Sequence, residues 1–255
     1  MAELNAKQVI NNKNDAINKL NKFLDKCIIQ DIKHLKKSNL LSYWFKDFIN
    51  YIQQEETFNS SLLKEYCRGD IVKVNLGFNV GNEEGGLHYC VVLDKKNAKS
   101  YSTLTVVPLS SLKETTKPNK TSVLLGNEIY DNLLVKSEKM LNDSESELEL
   151  LKQELSITDE LPEITEEKKI VKKFKQDILY EKINKNREKL LLISKINNEL
   201  FQMKKGTVAL VNQITTISKQ RIYNPKKDFD ILSGITVSDE KMKLIDEKIK
   251  KLYVN

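Results

Sequence analysis

The chain has 255 residues, enough for one large domain or two ordinary ones. Lys and Arg total 42 against 36 Asp and Glu, a net charge of +6 that permits an anionic partner without demanding one. No stretch approaches the run of uncharged apolar residues that a membrane helix needs, and the first residues carry no apolar signal core, so the sequence reads as cytoplasmic and free of the membrane. Three cysteines (Cys27, Cys67, Cys90) without CxxC spacing argue against a disulfide framework. With only His34 and His88 beside them, neither a metal site nor a cofactor is expected.

Residues 1–66 read as helical. Ile17, Leu20, Leu24, Ile28, Ile32 and Leu35 recur in steps of three and four, the spacing of one helical face. The pattern breaks at Lys36, Lys37, Ser38 and Asn39, and an aromatic-rich stripe follows through Leu40, Trp44, Phe45, Phe48 and Ile52. The expected form is a helical hairpin that packs on something or holds a partner.

Residues 67–132 change texture. Five of the eight glycines fall between Gly69 and Gly86. Runs such as Ile71-Val72-Lys73-Val74, Tyr89-Cys90-Val91-Val92 and Leu104-Thr105-Val106-Val107 are β-branched and separated by turn residues, as in a small antiparallel sheet or barrel.

Residues 133–204 return to helix. Leu134, Leu141, Leu148 and Leu155 repeat every seven, a break surrounds Pro162, and Val171, Phe174, Ile178, Leu190, Ile193, Ile196 and Leu200 continue on a second helix. Residues 143–167 carry ten acids and one lysine, whereas 168–205 carry twelve bases and four acids. An inserted antiparallel coiled coil with complementary arms follows from that pattern. Residues 205–255 resume the β texture through Val208 and Ile217, then end in a helix capped by Ser238.

Four ordered segments resemble the MazF/PemK family of toxin endoribonucleases. Arg68-Gly69-Asp70-Ile71 is similar to the family's opening strand. Gly81-Asn82-Glu83-Glu84-Gly85-Gly86-Leu87-His88 is in register with its G-S-E-Q-G-G-x-R loop. Ser102-Thr103 ahead of Leu104 to Leu109 resembles its S-P-T segment, and Val208 to Arg221 resembles its V-x-L-x-Q-I-x-T-I-x-K-x-R segment. The resemblance implies an α+β fold: a small, SH3-like, half-open antiparallel β-barrel of the MazF/PemK/CcdB type with a C-terminal helix. To this the N-terminal hairpin and the inserted coiled coil are added.

It also implies a chemistry. The ribose 2′-hydroxyl of single-stranded RNA attacks the adjacent phosphorus without a metal, leaving a 2′,3′-cyclic phosphate and a 5′-hydroxyl. Homodimers and a cognate antitoxin belong to the same implication. Such a reaction needs a base, an acid and donors for the charged phosphorane. Thr103 matches a hydroxyl that the family uses, and Glu83 matches the loop acid. At the position of the family's arginine stands His88, which is either an acid–base group, a residue of a site without catalysis, or a strand histidine. Asn82, Gly85, Gly86, Gln213, Lys219 and Arg221 are the expected RNA contacts, with Phe78 or Tyr89 as stacking surfaces for splayed bases. A second functional class stays open: a non-catalytic binding module, either an RNA binder or a CcdB-like toxin directed at gyrase.

Overall fold

A computed structural model describes residues 5–112, 119–159 and 166–254. Among them are nine strands and five helices, and the chain divides into two compact units. One consists of Met1–Phe58 together with Gly77–Gly86; the other of Asn59–Leu76 and Leu87–Asn255.

In the first unit, α1 (Ala6–Gln30) and α2 (Ile32–Gln54) are separated by Asp31 alone. The sequence pattern puts the break at 36–39; the structure puts it five residues earlier, because Asp31 is a strong N-cap. Its carboxylate accepts from the His34 main-chain N–H at 2.8 Å and meets His34 Nδ1 at 2.7 Å, contacts that hold its pKa below the ordinary value. Residues 36–39 then continue α2, and buried Ser38 donates to the Leu24 carbonyl where the two helices touch.

The second unit is built on an antiparallel sheet that does not close. Its strands are β2 (Ile71–Asn75), β3 (Leu87–Val92), β5 (Thr103–Ser111), β6 (Ser122–Gly126), β7 (Thr207–Leu210) and β9 (Ile222–Asn224), in the order β6-β7-β5-β3-β2-β9. A further strand, β8 (Thr215–Ser218), pairs with the first half of β5. The short strands β1 (Tyr66–Cys67) and β4 (Lys96–Asn97) pair apart from it. Alternation gives the sheet two buried faces. Ile71, Val91 and Leu109 join the core that also contains helical side chains, while Val72, Val74 and Cys90 are buried outside that cluster.

The helical insertion consists of α3 (Glu128–Asp159) and α4 (Glu166–Gln202). They run antiparallel, as shown by Ser137–Asn197, Ser144–Asn186 and Glu154–Lys182 contacts, whose positions fall on one helix as they rise on the other. The expected break at Pro162 lies outside the described residues. The seam of α3 is shifted by one residue from the leucine repeat. Leu133, Ser137, Ser144 and Leu151 are buried, whereas Leu134, Leu141 and Leu155 are exposed. On α4, Ile193, Ile196 and Leu200 are buried as the spacing implies, but Val171, Phe174 and Ile178 are exposed. The seam also holds a polar lock that sequence periodicity does not register. Ser144 Oγ donates to Asn186 Oδ1 at 2.7 Å, and the Asn186 amide returns a bond to the Ser144 carbonyl at 3.0 Å.

The base of this helical pair is not separable from the sheet. Ile129 and Leu133 of α3 and Ile196 and Leu200 of α4 belong to the same buried cluster as Ile71, Val91 and Leu109. The last helix, α5 (Asp239–Tyr253), is N-capped by Ser238 and contributes Met242 and Ile245 to that cluster. Among the described residues no helix is long and apolar enough to cross a membrane.

Candidate active site

The ladder between β3 and β5 pairs Cys90 with Pro108, Val91 with Val107 and Val92 with Val106. Beyond Pro108 the second half of β5 pairs with β7 instead, Leu109 with Ala209 and Ser110 with Val208. One side-chain hydrogen bond still joins β3 to this part of β5: His88 Nδ1 lies 3.0 Å from the Leu109 carbonyl oxygen. A carbonyl only accepts, so Nδ1 carries the proton, and the neutral ring has its basic lone pair on Nε2. His88 is half-buried at the end of the ladder, on the side of Cys90 and Val74.

On the other flank, Val74 of β2 pairs with both His88 and Ile222. Strand spacing of about 4.8 Å sets His88 and Ile222 about 10 Å apart, one strand between them. Arg221 directly precedes Ile222, in a short 3₁₀ turn of residues Lys219–Arg221. Its Nε donates to the Asn75 carbonyl at 2.8 Å, which fixes the root of the guanidinium at this end of the sheet. An imidazole on β3 and a permanent cation in the turn before β9 therefore flank this end of β2.

Burial next to His88 decides a further point. Cys90, two residues along β3, is fully buried, and desolvation pushes its thiol up to about 12, against a small opposing pull from Arg221. A thiol held in that form is a packing group and not a nucleophile.

Thr103 is elsewhere. It is the first residue of β5, exposed, and pairs with Ser218 of β8. Seven positions separate it from Ser110, about 23 Å of strand at the usual rise. Thr103 thus lies at the opposite end of β5 from the Leu109 carbonyl that His88 meets. Sequence reasoning selected the Ser-x-Thr motif and passed over Ser110. Ser110 is singled out only by following the Leu109 carbonyl that His88 meets.

Lys219 is also displaced from its expected role. Its side chain is 0% exposed; Nζ donates to the Ala98 carbonyl at 2.8 Å and sits over the Tyr66 ring. Desolvation lowers its pKa, opposed by the charges of Asp94 and Glu65. A lysine held inside the fold braces the main chain. Gln213 is half-buried at the end of another 3₁₀ turn, Val211–Gln213, ahead of β8.

Phe78, Asn82, Glu83, Gly85 and Gly86 lie in the other compact unit, in the loop whose chain runs out of β2 and back into β3. Within the loop, Glu83 accepts from the Val80 N–H at 3.3 Å, and the Asn79 amide donates to the Glu84 carbonyl at 2.6 Å. Phe78 is half-buried, and Asn82 and Glu83 are exposed.

Beside Ser110 opens a cavity of about 360 Å³ lined by Lys73, Leu87, Tyr89, Glu199 and Lys204 among others. Glu199, from α4, accepts from the Tyr89 hydroxyl and pairs with Lys73. Burial and the Glu199 carboxylate raise the Tyr89 pKa, so the phenol stays protonated and donating. Glu199 is a second residue that sequence reasoning missed, since the insertion showed no sign of reaching the sheet.

Residues 67–150 match the family model described as PemK-like, MazF-like toxin of type II toxin-antitoxin system. This part of the chain is PemK/MazF-like. The match spans about a third of the chain and contains the loop, His88, Thr103 and Ser110, whereas the Val208–Arg221 motif lies beyond it. No curated protein matches the chain significantly. The PemK/MazF-like segment thus includes β3 and β5 with His88 and Ser110, and the return of the chain through α4 leads to the turn that carries Arg221.

Proposed function

We propose that this protein is an RNA-cleaving toxin of a type II toxin-antitoxin system. It cuts single-stranded RNA by attack of the 2′-hydroxyl on the adjacent phosphorus. What supports the reading is the hydrogen bond from His88 to the Leu109 carbonyl, one residue before Ser110, inside the PemK/MazF-like segment. Nε2 of His88 takes the 2′-hydroxyl proton, and the imidazolium so formed can return a proton to the departing 5′-oxygen. Ser110 donates a hydrogen bond to a non-bridging oxygen as charge builds, and Arg221 supplies the fixed positive charge that His88 gives only when protonated. In this assignment Ser110 takes the place that the Ser-x-Thr motif suggested for Thr103. Asn82, Glu83 and Gln213 contact the RNA, Gly85 and Gly86 let its backbone approach the loop, and Phe78 offers a stacking face.

The products are a 2′,3′-cyclic phosphate and a 5′-hydroxyl, and the chemistry as written uses protein groups alone. The cellular setting that goes with this reading is the cytoplasm, with a homodimer and an antitoxin that occupies the RNA site. Incubating the purified protein with a long single-stranded RNA in EDTA tests the reading: fragments with those ends support it, and intact RNA contradicts it. One observation favours a second reading. The position that carries arginine in the family is histidine here, as a non-catalytic RNA-binding module would allow. RNA that is bound tightly but never cut would select that reading.

A further inference from the structure

We propose that Trp44, outside the PemK/MazF-like segment, is a positioning residue for the loop 77–86, which makes the N-terminal hairpin a working part of RNA binding. The proposal rests on the reading above that this loop serves RNA.

The loop joins β2 to β3, yet it forms one compact unit with the N-terminal helices. The contact that explains this is at Gly77, which has φ +85° and is buried. A Cβ built there would lie 2.7 Å from Trp44 Cζ2, 2.8 Å from Cη2 and 3.0 Å from Cε2. The indole therefore fills the space that any side chain at 77 would need. Gly77 is also the neck of the loop. Its carbonyl accepts from the Gly86 N–H at 2.6 Å, and a Cβ on Gly85 would fall 2.8 Å from the same oxygen. The two ends of the loop thus meet at one carbonyl, and Trp44 sits on the residue that carries it.

Trp44 is itself braced. Its ring lies 5.8 Å from Phe48 and 6.3 Å from Tyr51 along α2. The loop has little apolar mass of its own, since Val80 is exposed and Phe78 only half-buried. It gains order from an outside support, and α2 provides one. A loop held in its binding shape loses less entropy when RNA arrives, and the saving appears as affinity. Removing the indole should therefore raise KM far more than it lowers kcat.

The test combines amide hydrogen exchange with kinetics on the full chain. Trp44→Ala should speed exchange at residues 78–86 and raise KM for RNA about tenfold, with kcat within about threefold. Trp44→Phe, which keeps a ring on the neck, should restore most of both. Gly77→Ala approaches the contact from the loop and leaves α2 unaltered. It should raise KM likewise, and by a smaller factor when Trp44 is already Ala, because the clash is then gone.

Unchanged loop exchange in Trp44→Ala, or a loosened loop with unchanged KM, overturns the proposal. If the wild-type chain cuts no RNA, the enzymatic reading fails by itself. Kd for a 2′-deoxy-substituted, uncleavable oligonucleotide then replaces KM, and a Kd that Trp44→Ala leaves unaltered sinks the positioning role separately.

Discussion

His88 Nδ1 and the Leu109 main-chain oxygen are 3.0 Å apart, and this one bond fixes the tautomer of the ring at the end of the β3–β5 ladder. With Nδ1 committed as donor, Nε2 is the atom that can take a proton. His88→Ala should then reduce RNA cleavage on the order of 10²-fold or more. His88→Arg restores a fixed cation and removes the shuttle, so activity that survives or rises in it would show that the position needs charge alone.

The proposed site gives a contrast between two hydroxyls. Ser110→Ala should lower the cleavage rate on the order of tenfold or more, the scale of losing one donor to a developing oxyanion. Thr103→Ala, at the far end of β5, should leave the rate within about twofold because it removes no group from the reaction centre. Single-turnover cleavage of one oligonucleotide separates them, and the reverse order would return the role to Thr103.

Arg221 and Lys219 should behave differently although they lie two residues apart. Arg221→Gln should weaken RNA binding for every sequence and flatten the salt dependence by about one unit of slope. Lys219→Met should leave that slope alone and instead cost about 1–3 kcal/mol of stability, because the half-buried Ala98 carbonyl loses its donor. Filter binding across a salt series and thermal melting distinguish the two outcomes.

The helical insertion should tolerate shortening but not removal. Excising 146–184 with a short Gly-Ser bridge keeps the Ser144–Asn186 lock and the core shared with the sheet, so a cooperative melt should survive. Excising 135–202 discards Ile196 and Leu200 from the shared core, at about 2–5 kcal/mol each, and should leave no stable fold. A folded protein from the larger deletion would contradict the shared core.

The thiols provide a check on burial. Cys67 is exposed, whereas Cys27 and Cys90 are buried, so iodoacetamide should label the native chain once. Cys90, with its thiol pushed up to about 12 by burial, should stay unlabelled at pH 9. Its folded pKa exceeds the unfolded value of about 8.5, so its contribution to stability is complete below that pH and fades as the pH climbs towards 12. Mass spectrometry before and after denaturation reads both the number and the position of the labels.

Much of this architecture is legible in the residues. Alternation marked β2, β3 and β5, Ser238 marked the start of α5, and the glycine-rich run marked the loop. What the sequence hid is relational. The leucine repeat of α3 is one residue off the true seam because Ser137 and Ser144 are buried against asparagines, which hydropathy scores as surface. The break at Asp31 is a capping event that a charge cluster at 36–39 obscured. Lys219 looked like a phosphate ligand because burial of a lysine depends on what surrounds it, here Tyr66 and Ala98. Ser110 required the His88–Leu109 contact beside it, and Trp44 a glycine seventy-seven residues into the chain whose missing side chain makes room for it.

The most direct test of the account is a cleavage assay on a long single-stranded RNA in EDTA, comparing wild type with folded His88→Ala and mapping the chemistry of the new ends. The account predicts 2′,3′-cyclic phosphate and 5′-hydroxyl ends from the wild type and a loss on the order of 10²-fold in the variant. Equal cleavage by the two proteins, or ends with a 5′-phosphate, would contradict it.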